Sequence, residues 1–120
     1  MVEFKQMYTL QQRKDESFRI LEKYPDRLPI IVERHKKSNL NEIDKKKYLI
    51  PNDLTVGQFM YVIRKRIDIK SEQAIFVFIN NRVPPSGALL SSLYMSNKDV
   101  DGFLYIKYDS ENVFGHSIYL

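Results

Sequence analysis

The residue best suited to take part in a chemical reaction is Gly115, which follows Phe114 and precedes the five residues His-Ser-Ile-Tyr-Leu. Glycine has no Cβ, so a chain ending at Gly115 would lie extended in a narrow enzyme groove and offer an unhindered carboxyl carbon. Such a terminus suits acyl transfer to an amine. We therefore expect cleavage between Gly115 and His116, with Phe114 and Gly115 as the cleavage and conjugation site. A lone glycine near a polar terminus is also common in loose chain, and the tail alone leaves that alternative open.

Residues for catalysis by the chain itself are scarce. The sequence has no cysteine, which excludes a thiol nucleophile, a cysteine-based zinc site and a disulfide framework. The two histidines, His35 and His116, stand in a lysine-rich connection and in the tail, without an evident acid–base partner. We expect a protein that is not an enzyme, with no catalytic residues, no metal site and no bound cofactor.

Basic side chains are concentrated in the first 70 residues, which hold 16 of the 19 Lys and Arg. They form three clusters, at residues 34–37, 45–47 and 64–66. Such clusters suit nucleic acid, anionic lipid or acidic peptides, and a net charge of +4 does not choose among them. A basic nucleic-acid module stays an alternative, but the clusters are not interleaved with aromatic residues on one strand face, so we expect no nucleic-acid partner.

The length of 120 residues fits one domain that buries a core without metals or disulfides. No apolar run approaches the roughly 20 residues that span a bilayer, and the amino terminus lacks the apolar core of a signal peptide. We expect a cytoplasmic monomer whose membrane contact is acquired.

Capping boxes and proline mark the helices. Thr9 with Gln12, and Thr55 with Gln58, have the spacing of capping boxes that open helices. The predicted helices run from Val2 to Tyr8, from after Thr9 to before Pro25, from Thr55 to Ile67, and from Leu89 to Met95. The second helix carries more apolar positions than a core-facing stripe needs, at Leu10, Phe18, Ile20, Leu21 and Tyr24.

Runs of β-branched and aromatic residues predict strands at Leu28–Glu33, Tyr48–Pro51, Ala74–Ile79 and Phe103–Tyr108. The unbroken apolar run Ala74–Ile79 predicts the interior strand of a sheet, closed by a tight turn at Asn80-Asn81. A hairpin, a long helix and two further strands around a short helix predict an α+β, ubiquitin-like β-grasp. In that fold a mixed four-stranded sheet packs on a central helix, here with two additional N-terminal helices.

Several long motifs occur in order along the chain: YPDRLPIIVE at 24–33, DKKKYLIP at 44–51, DLTVGQF at 53–59, IRKRI at 63–67 and FLYI at 103–106. Shorter matches are NN at 80–81, PP at 84–85, LY at 93–94 and FG at 114–115. With these motifs the chain resembles the autophagy ubiquitin-like modifiers, the family of the GABA-A receptor-associated protein and microtubule-associated light chain 3, and is closer to the first branch. The resemblance implies an N-terminal helical subdomain at 1–27, a ubiquitin-like core at 28–110 and a flexible tail at 111–120.

The family's function implies conjugation. A cysteine protease would cut after Gly115, activating and conjugating enzymes would carry the glycine as a thioester, and phosphatidylethanolamine would become its covalent lipid. The product would be held on autophagosomal or vacuolar membranes. Tubulin is a further partner in the family.

The resemblance also implies capture of cargo receptors and adaptors that carry acidic aromatic-x-x-aliphatic motifs, added as a strand beside the sheet. The aromatic-anchor pocket would comprise Glu16, Ile20, Pro29, Lys47, Leu49 and Phe103, with Ile20 facing the ligand. The aliphatic-anchor pocket would comprise Tyr48, Ile50, Pro51, Leu54, Phe59, Val62 and Ile63. Acidic residues of the partner would meet Arg27, Lys45, Lys47 and Arg66. A second docking surface of the family maps to Ile75, Phe76, Val77 and Phe78.

Departures from the family pattern leave one further alternative open. Gly102 replaces a bulky residue, which predicts a looser wall beside Phe103, and Val62 and Val77 are smaller than usual. The tail is long for the family. An uncleaved, non-conjugated adaptor in vesicle trafficking or microtubule association would use Ile118, Tyr119 and Leu120 as a strand that adds to a sheet edge.

Overall fold

Four strands form one mixed sheet in the order β2-β1-β4-β3 in the computed structural model, which describes residues 2–111. The strands are β1 Arg27–Arg34, β2 Lys47–Pro51, β3 Phe76–Phe78 and β4 Leu104–Asp109. The central pair, β1 and β4, is parallel, and both outer pairings are antiparallel. The helices are α1 Phe4–Met7, α2 Leu10–Lys23, α3 Val56–Ile67 and α4 Leu90–Asn97. The predicted β-grasp with two extra N-terminal helices is confirmed.

Both predicted capping boxes are present. Gln12 N donates to Thr9 Oγ1 at 3.1 Å while Thr9 N donates to Gln12 Oε1 at 2.8 Å. The box at Thr55 and Gln58 has the same reciprocal bonds, at 3.2 and 2.8 Å. The first helix is shorter than predicted at both ends. Glu3 is extended and caps its start, and Tyr8 and Thr9 are extended, which places Thr9 as the cap of α2.

Strand alternation divides the core between the two faces of the sheet. On the face covered by α3, Ile30 and Leu104 join Phe59 and Ile63 in the larger cluster of buried residues. On the face covered by α1 and α2, the buried cluster is Phe4, Ile20, Ile31 and Phe103, with Leu49 and Tyr105 packed against it. These two surfaces are called the α3 face and the α2 face below.

The predicted interior position of the Ala74–Ile79 run is wrong. β3 covers only Phe76–Phe78 and lies at an edge of the sheet, paired with β4. Its apolar character reflects burial by the α3 face and not strands on both sides, since Val77 and Ile79 belong to the α3-face cluster. The turn after it is as predicted: Asn80 and Asn81 have φ of 51° and 65°, and Ile79 and Arg82 exchange two backbone hydrogen bonds.

No helix within residues 2–111 is long and apolar enough to cross a membrane.

Candidate functional site

The outer edge of β2 presents backbone groups to solvent. Val32 N donates to Lys46 O at 2.8 Å, so alternation turns the backbone N–H and C=O of Lys47 and Leu49 away from β1. Pro29, the partner of Leu49 in register, has no N–H to donate. Arg27 Nη1 already donates to Leu49 O at 3.0 Å on this outer side. The edge can therefore accept an added strand.

The six residues of the predicted aromatic-anchor pocket come together on the α2 face. Glu16 Oε2 forms an ion pair with Lys47 Nζ across the gap between α2 and β2. Beneath it, Ile20 is 6% exposed and Phe103 is fully buried, while Leu49 is half-buried. The side chain of Ile20 packs between α2 and the sheet, and its contact with a ligand stays a prediction. The apolar surplus of α2 that remains exposed is Leu10, Phe18 and Tyr24.

The predicted aliphatic-anchor residues also cluster, but most of them belong to the core. Exposures of Tyr48, Ile50, Phe59 and Ile63 lie between 0 and 7%. Burial raises the pKa of the Tyr48 hydroxyl, and the neighbouring Arg66 guanidinium offsets part of that rise. The members with accessible surface are the half-buried residues Pro51, Leu54 and Val62.

The four predicted cations flank β2. Arg66 pairs with Asp44 at 3.1 Å, and Lys45 Nζ lies 5.2 Å from the centroid of the Tyr48 ring. Lys47 and Arg27 make the contacts with Glu16 and Leu49 described above. Positive charge is therefore placed along one strand edge, although each cation already has a partner.

Other predicted site residues are less accessible. On the second docking surface, Phe76 is half-buried, whereas Ile75, Val77 and Phe78 are buried. The predicted cleavage site at Phe114 and Gly115 lies outside the described residues.

Comparison with known proteins shows which family the chain belongs to. The model of a family described as "Autophagy protein Atg8 ubiquitin like" matches residues 12–115. This chain belongs to the Atg8 family. It is 60% identical over 114 residues to Autophagy-related protein 8e of Arabidopsis thaliana, covering 95% of this chain and 93% of the relative. It is 56% identical over 112 residues to Autophagy-related protein 8 of Kluyveromyces lactis, covering 93% of this chain and 90% of the relative.

Solved structures of Atg8 proteins share the fold. The crystal structure of Trypanosoma brucei ATG8 is 44% identical with a TM-score of 0.86, over 91% of this chain and 94% of that one. Plasmodium falciparum Atg8, solved in complex with a Plasmodium falciparum Atg3 peptide, is 38% identical with a TM-score of 0.85. That match covers 92% of this chain and 98% of the other.

A buried polar centre at Asp101 fixes α2 of this Atg8-family chain to the sheet. The Asp101 carboxylate accepts from Arg13 Nη1 at 2.6 Å, Tyr105 Oη at 2.5 Å and Phe103 N at 2.8 Å. Its own carbonyl accepts from Ser17 Oγ at 2.5 Å. Burial and the hydrogen bond to Asp101 raise the pKa of Tyr105. The sequence reasoning missed this centre, because Ser17 and Arg13 meet Asp101 only through tertiary contacts across more than 80 residues.

Gly102 has the opposite effect from the one expected. Its φ is +90°, a conformation that favours glycine, and a Cβ there would collide with Ser17 Oγ. The missing side chain does not loosen the wall beside Phe103. Because Gly102 has no side chain, α2 can approach the turn before β4 closely enough for Ser17 Oγ to donate to the carbonyl of Asp101.

A cleft of about 630 Å³ opens between the two N-terminal helices and the start of β2. We call it the α1–α2 cleft. Its lining includes Glu16 and Lys47, which also belong to the predicted aromatic-anchor pocket. The other lining residues are Phe4, Met7, Tyr8, Gln12, Arg13, Asp15, Arg19, Asp44 and Lys46.

Proposed function

We propose that this Atg8-family protein is a ubiquitin-like modifier of autophagy that is cut after Gly115 and joined through the Gly115 carboxylate to phosphatidylethanolamine. Two facts support this. The family match ends at Gly115, and glycine leaves the carboxyl carbon open to attack. The protein is then a substrate of enzymes and not an enzyme itself.

In the proposed reaction sequence, ATP activates the Gly115 carboxylate, and the thioester then preserves that activation until the lipid amine reacts. A cysteine protease hydrolyses the bond between Gly115 and His116. The Gly115 carboxylate then attacks ATP to form an acyl adenylate and release pyrophosphate. A thiol of the activating enzyme displaces AMP to form a thioester, a thiol of the conjugating enzyme takes over the acyl group, and the lipid amine displaces that last thiol to form an amide. Since each buried methylene contributes about 0.8 kcal/mol, a lipid with two acyl chains would hold the protein firmly on the membrane.

We also propose that the β2 edge captures acidic aromatic-x-x-aliphatic peptides from cargo receptors and adaptors. The observation that carries this proposal is the outward backbone of Lys47 and Leu49, set between the two apolar clusters and flanked by cations. The peptide bound to the Plasmodium falciparum relative supports it, since that protein has the same fold. A conjugating enzyme is accordingly among the expected peptide-bearing partners.

Anchor entry requires local rearrangement. Ile20 and Phe103 are covered, so an aromatic side chain would enter by parting the Glu16–Lys47 ion pair and moving Leu49. On the aliphatic side, the entering residue would displace the half-buried Leu54 and Val62 and leave the deeper core residues in place. The pockets would thus form as the peptide binds.

The conjugation is tested by the intact mass of the protein after incubation with ATP and membranes in lysate of its source cell. We expect loss of residues 116–120 followed by gain of a phospholipid mass. Gly115→Ala should remove or sharply slow both steps. Gly87→Ala is the matched control, because a Cβ at Gly87 meets nothing within 4 Å. An unchanged wild-type mass, in a lysate that processes a control modifier, would refute conjugation.

Peptide capture is tested by calorimetry with a synthetic acidic aromatic-x-x-aliphatic peptide. Leu49→Ala should weaken binding by about 2 kcal/mol, the scale of an interface hot spot. Phe18→Ala is the control, since Phe18 is apolar and 66% exposed on α2, away from β2. Equal affinities of the Leu49→Ala variant and the wild type, both folded, would exclude the β2 edge as the binding site.

A further inference from the structure

One flank of α2 carries an aromatic ring in solvent. Phe18 is 66% exposed, more than any other large apolar side chain of this helix. Glu16 faces β2, as its ion pair with Lys47 shows. Because each residue turns an α-helix by about 100°, Phe18 projects about 200° further round, on the flank away from β2. The ring therefore lies outside the proposed peptide site.

The side chains next to Phe18 are mostly charged. Residues three and four apart are neighbours on a helix, so Phe18 is surrounded by Lys14, Asp15, Leu21 and Glu22. Leu21 is half-buried and the three charged residues are exposed. Neither Lys14 nor Glu22 forms an ion pair with any other residue in the range 2–111. We call these five residues the α2 patch.

The α2 patch is complementary to itself. When two copies of a helix pack antiparallel with Phe18 at the centre, each residue faces the one equally far on the other side of the ring. Lys14 of one copy then faces Glu22 of the other, and the two-fold axis repeats that pair. A parallel pairing in register would instead bring Lys14 against Lys14 and Glu22 against Glu22.

A second copy suits the patch better than a lipid surface does. Helices that lie on membranes carry mainly Lys and Arg on their polar side, and anionic headgroups attract those cations. Here two carboxylates, of Asp15 and Glu22, stand beside the ring. They would be repelled by anionic lipid, whereas a second copy supplies a matching base.

We propose that the α2 patch is a homodimer contact, in which two copies of this chain pack their α2 helices antiparallel around Phe18. The patch has five side chains on each copy, against about 20–30 residues a side in a standard interface, so the association is weak in dilute solution. Because β2 lies on the other flank of α2, both copies keep their peptide-binding edges free.

Confinement to one membrane makes the contact effective. It raises the local concentration of the copies, as a short linker does when it brings two sites to about millimolar effective concentration. This consequence rests on the proposed conjugation, whereas the contact between two α2 helices does not. The dimer then presents two β2 edges together.

The first test is sedimentation equilibrium of the full, unconjugated chain at up to about 1 mM, the scale of such confinement. Lys14→Glu and Glu22→Lys should each weaken dimerisation at least about fivefold, because each reversal brings like charges together in both pairs. The double variant should recover the wild-type association. Since the two single changes alter the net charge in opposite directions, general repulsion between copies cannot explain a loss in both.

The second test is Phe18→Ser, which should weaken dimerisation at least about tenfold by removing the ring at the axis. Tyr61→Ser is the matched control, because Tyr61 is a 59% exposed aromatic on α3 and its loss should leave dimerisation unchanged. Thermal unfolding of each variant establishes that it is folded.

Three results would overturn the homodimer contact: a wild type that stays monomeric up to about 1 mM, dimerisation that survives Phe18→Ser, or a double charge variant that does not recover. Each of them leaves the proposed conjugation and peptide capture intact, because the measurement uses neither lipid nor peptide. Failure of conjugation in the lysate would likewise leave a measured dimer standing.

Discussion

On the α3 face of the sheet, twenty of the described residues form one continuous apolar cluster, whereas the α2 face buries a cluster of four. The α2 face is held instead by polar contacts at its edges. Asp101 binds Arg13 and Ser17 of α2, and Glu33 accepts from Phe4 N at 2.7 Å and from Lys46 Nζ at 3.2 Å. The candidate pocket for the aromatic anchor and the α1–α2 cleft both lie on this second face.

The two faces of the sheet therefore have different roles: the α3 face stabilises the fold, and the α2 face can change its local structure. Burial of apolar surface is non-directional and scales with area, so the α3 face supplies most of the stabilisation. Buried ion pairs contribute less net stability but require one geometry, and removal of one partner leaves an uncompensated charge. The α2 face can therefore open locally at low cost while the α3 face keeps the fold intact.

The largest effect is expected from the same substitution made on each face. Ile63→Ala on the α3 face should lower the free energy of unfolding by about 4 kcal/mol, because Ile63 is fully buried and leaves a cavity. Ile20→Ala on the α2 face should cost about 2 kcal/mol, since its smaller cluster borders a cleft into which neighbours can relax. Equilibrium urea unfolding measures both. Equal losses would mean that the two faces do not differ in packing.

The next effect concerns the polar centre. Asp101→Asn removes the charge that pairs with Arg13, whose side chain is only 11% exposed, and should cost about 3 kcal/mol. Asp15→Asn is the matched control on exposed α2 surface, where the carboxylate accepts from Gln11, and should change stability by no more than about 0.5 kcal/mol. Urea unfolding in which the Asp101 variant matched its control would show that the α2 face does not depend on this ion pair.

A smaller effect is expected at the contact between Gly102 and Ser17. Gly102→Ala should cost about 2 kcal/mol, because alanine is strained at φ +90° and its Cβ meets Ser17 Oγ. Removing the opposing side chain relieves the collision but not the strain. A double variant with Ser17→Gly should therefore lose less stability than the two single variants together. Strict additivity in thermal unfolding would contradict the close approach.

The smallest effect is the response to alkali. Burial raises the pKa of Tyr108 to about 12, above the ordinary value of 10.0. Between these values the unfolded chain loses a proton that the folded chain keeps, so stability is complete below pH 10 and falls as the pH rises towards 12. By pH 11 the wild type should have lost about 1 kcal/mol more than Tyr108→Phe. Parallel pH profiles for the two proteins would contradict this shift.

Sequence reasoning succeeded where the signal is local. Thr9 and Thr55 each stand three residues before a glutamine, and that spacing defines a helix start without reference to the rest of the chain. The strands β1, β2 and β4 follow from short β-branched and aromatic runs, with boundaries within one residue of those predicted. The predicted Asn80-Asn81 turn needed only the tolerance of asparagine for positive φ.

Sequence reasoning failed where the position or burial of a residue depends on the distant residues that pack against it. The apolar run containing β3 correctly indicated burial. No local feature, however, distinguishes an edge strand that is buried under a helix from an interior strand with a neighbour on each side. The burial of Ile20 depends on Phe4, Ile31 and Phe103, which form the α2-face cluster with it from distant parts of the chain. The role of Gly102 depends on Ser17, which no sequence pattern connects to it.

By itself the sequence determined the class of fold, the starts of α2 and α3 and three of the four strands, because capping and alternation are properties of neighbouring residues. Its long motifs also determined the family. Only the tertiary structure decided that β2 has an outward edge, that Asp101 binds α2 to the sheet, and that Met7 and Tyr8 line a cleft. These features arise from contacts between distant segments, and their free energies exist only when the chain is folded.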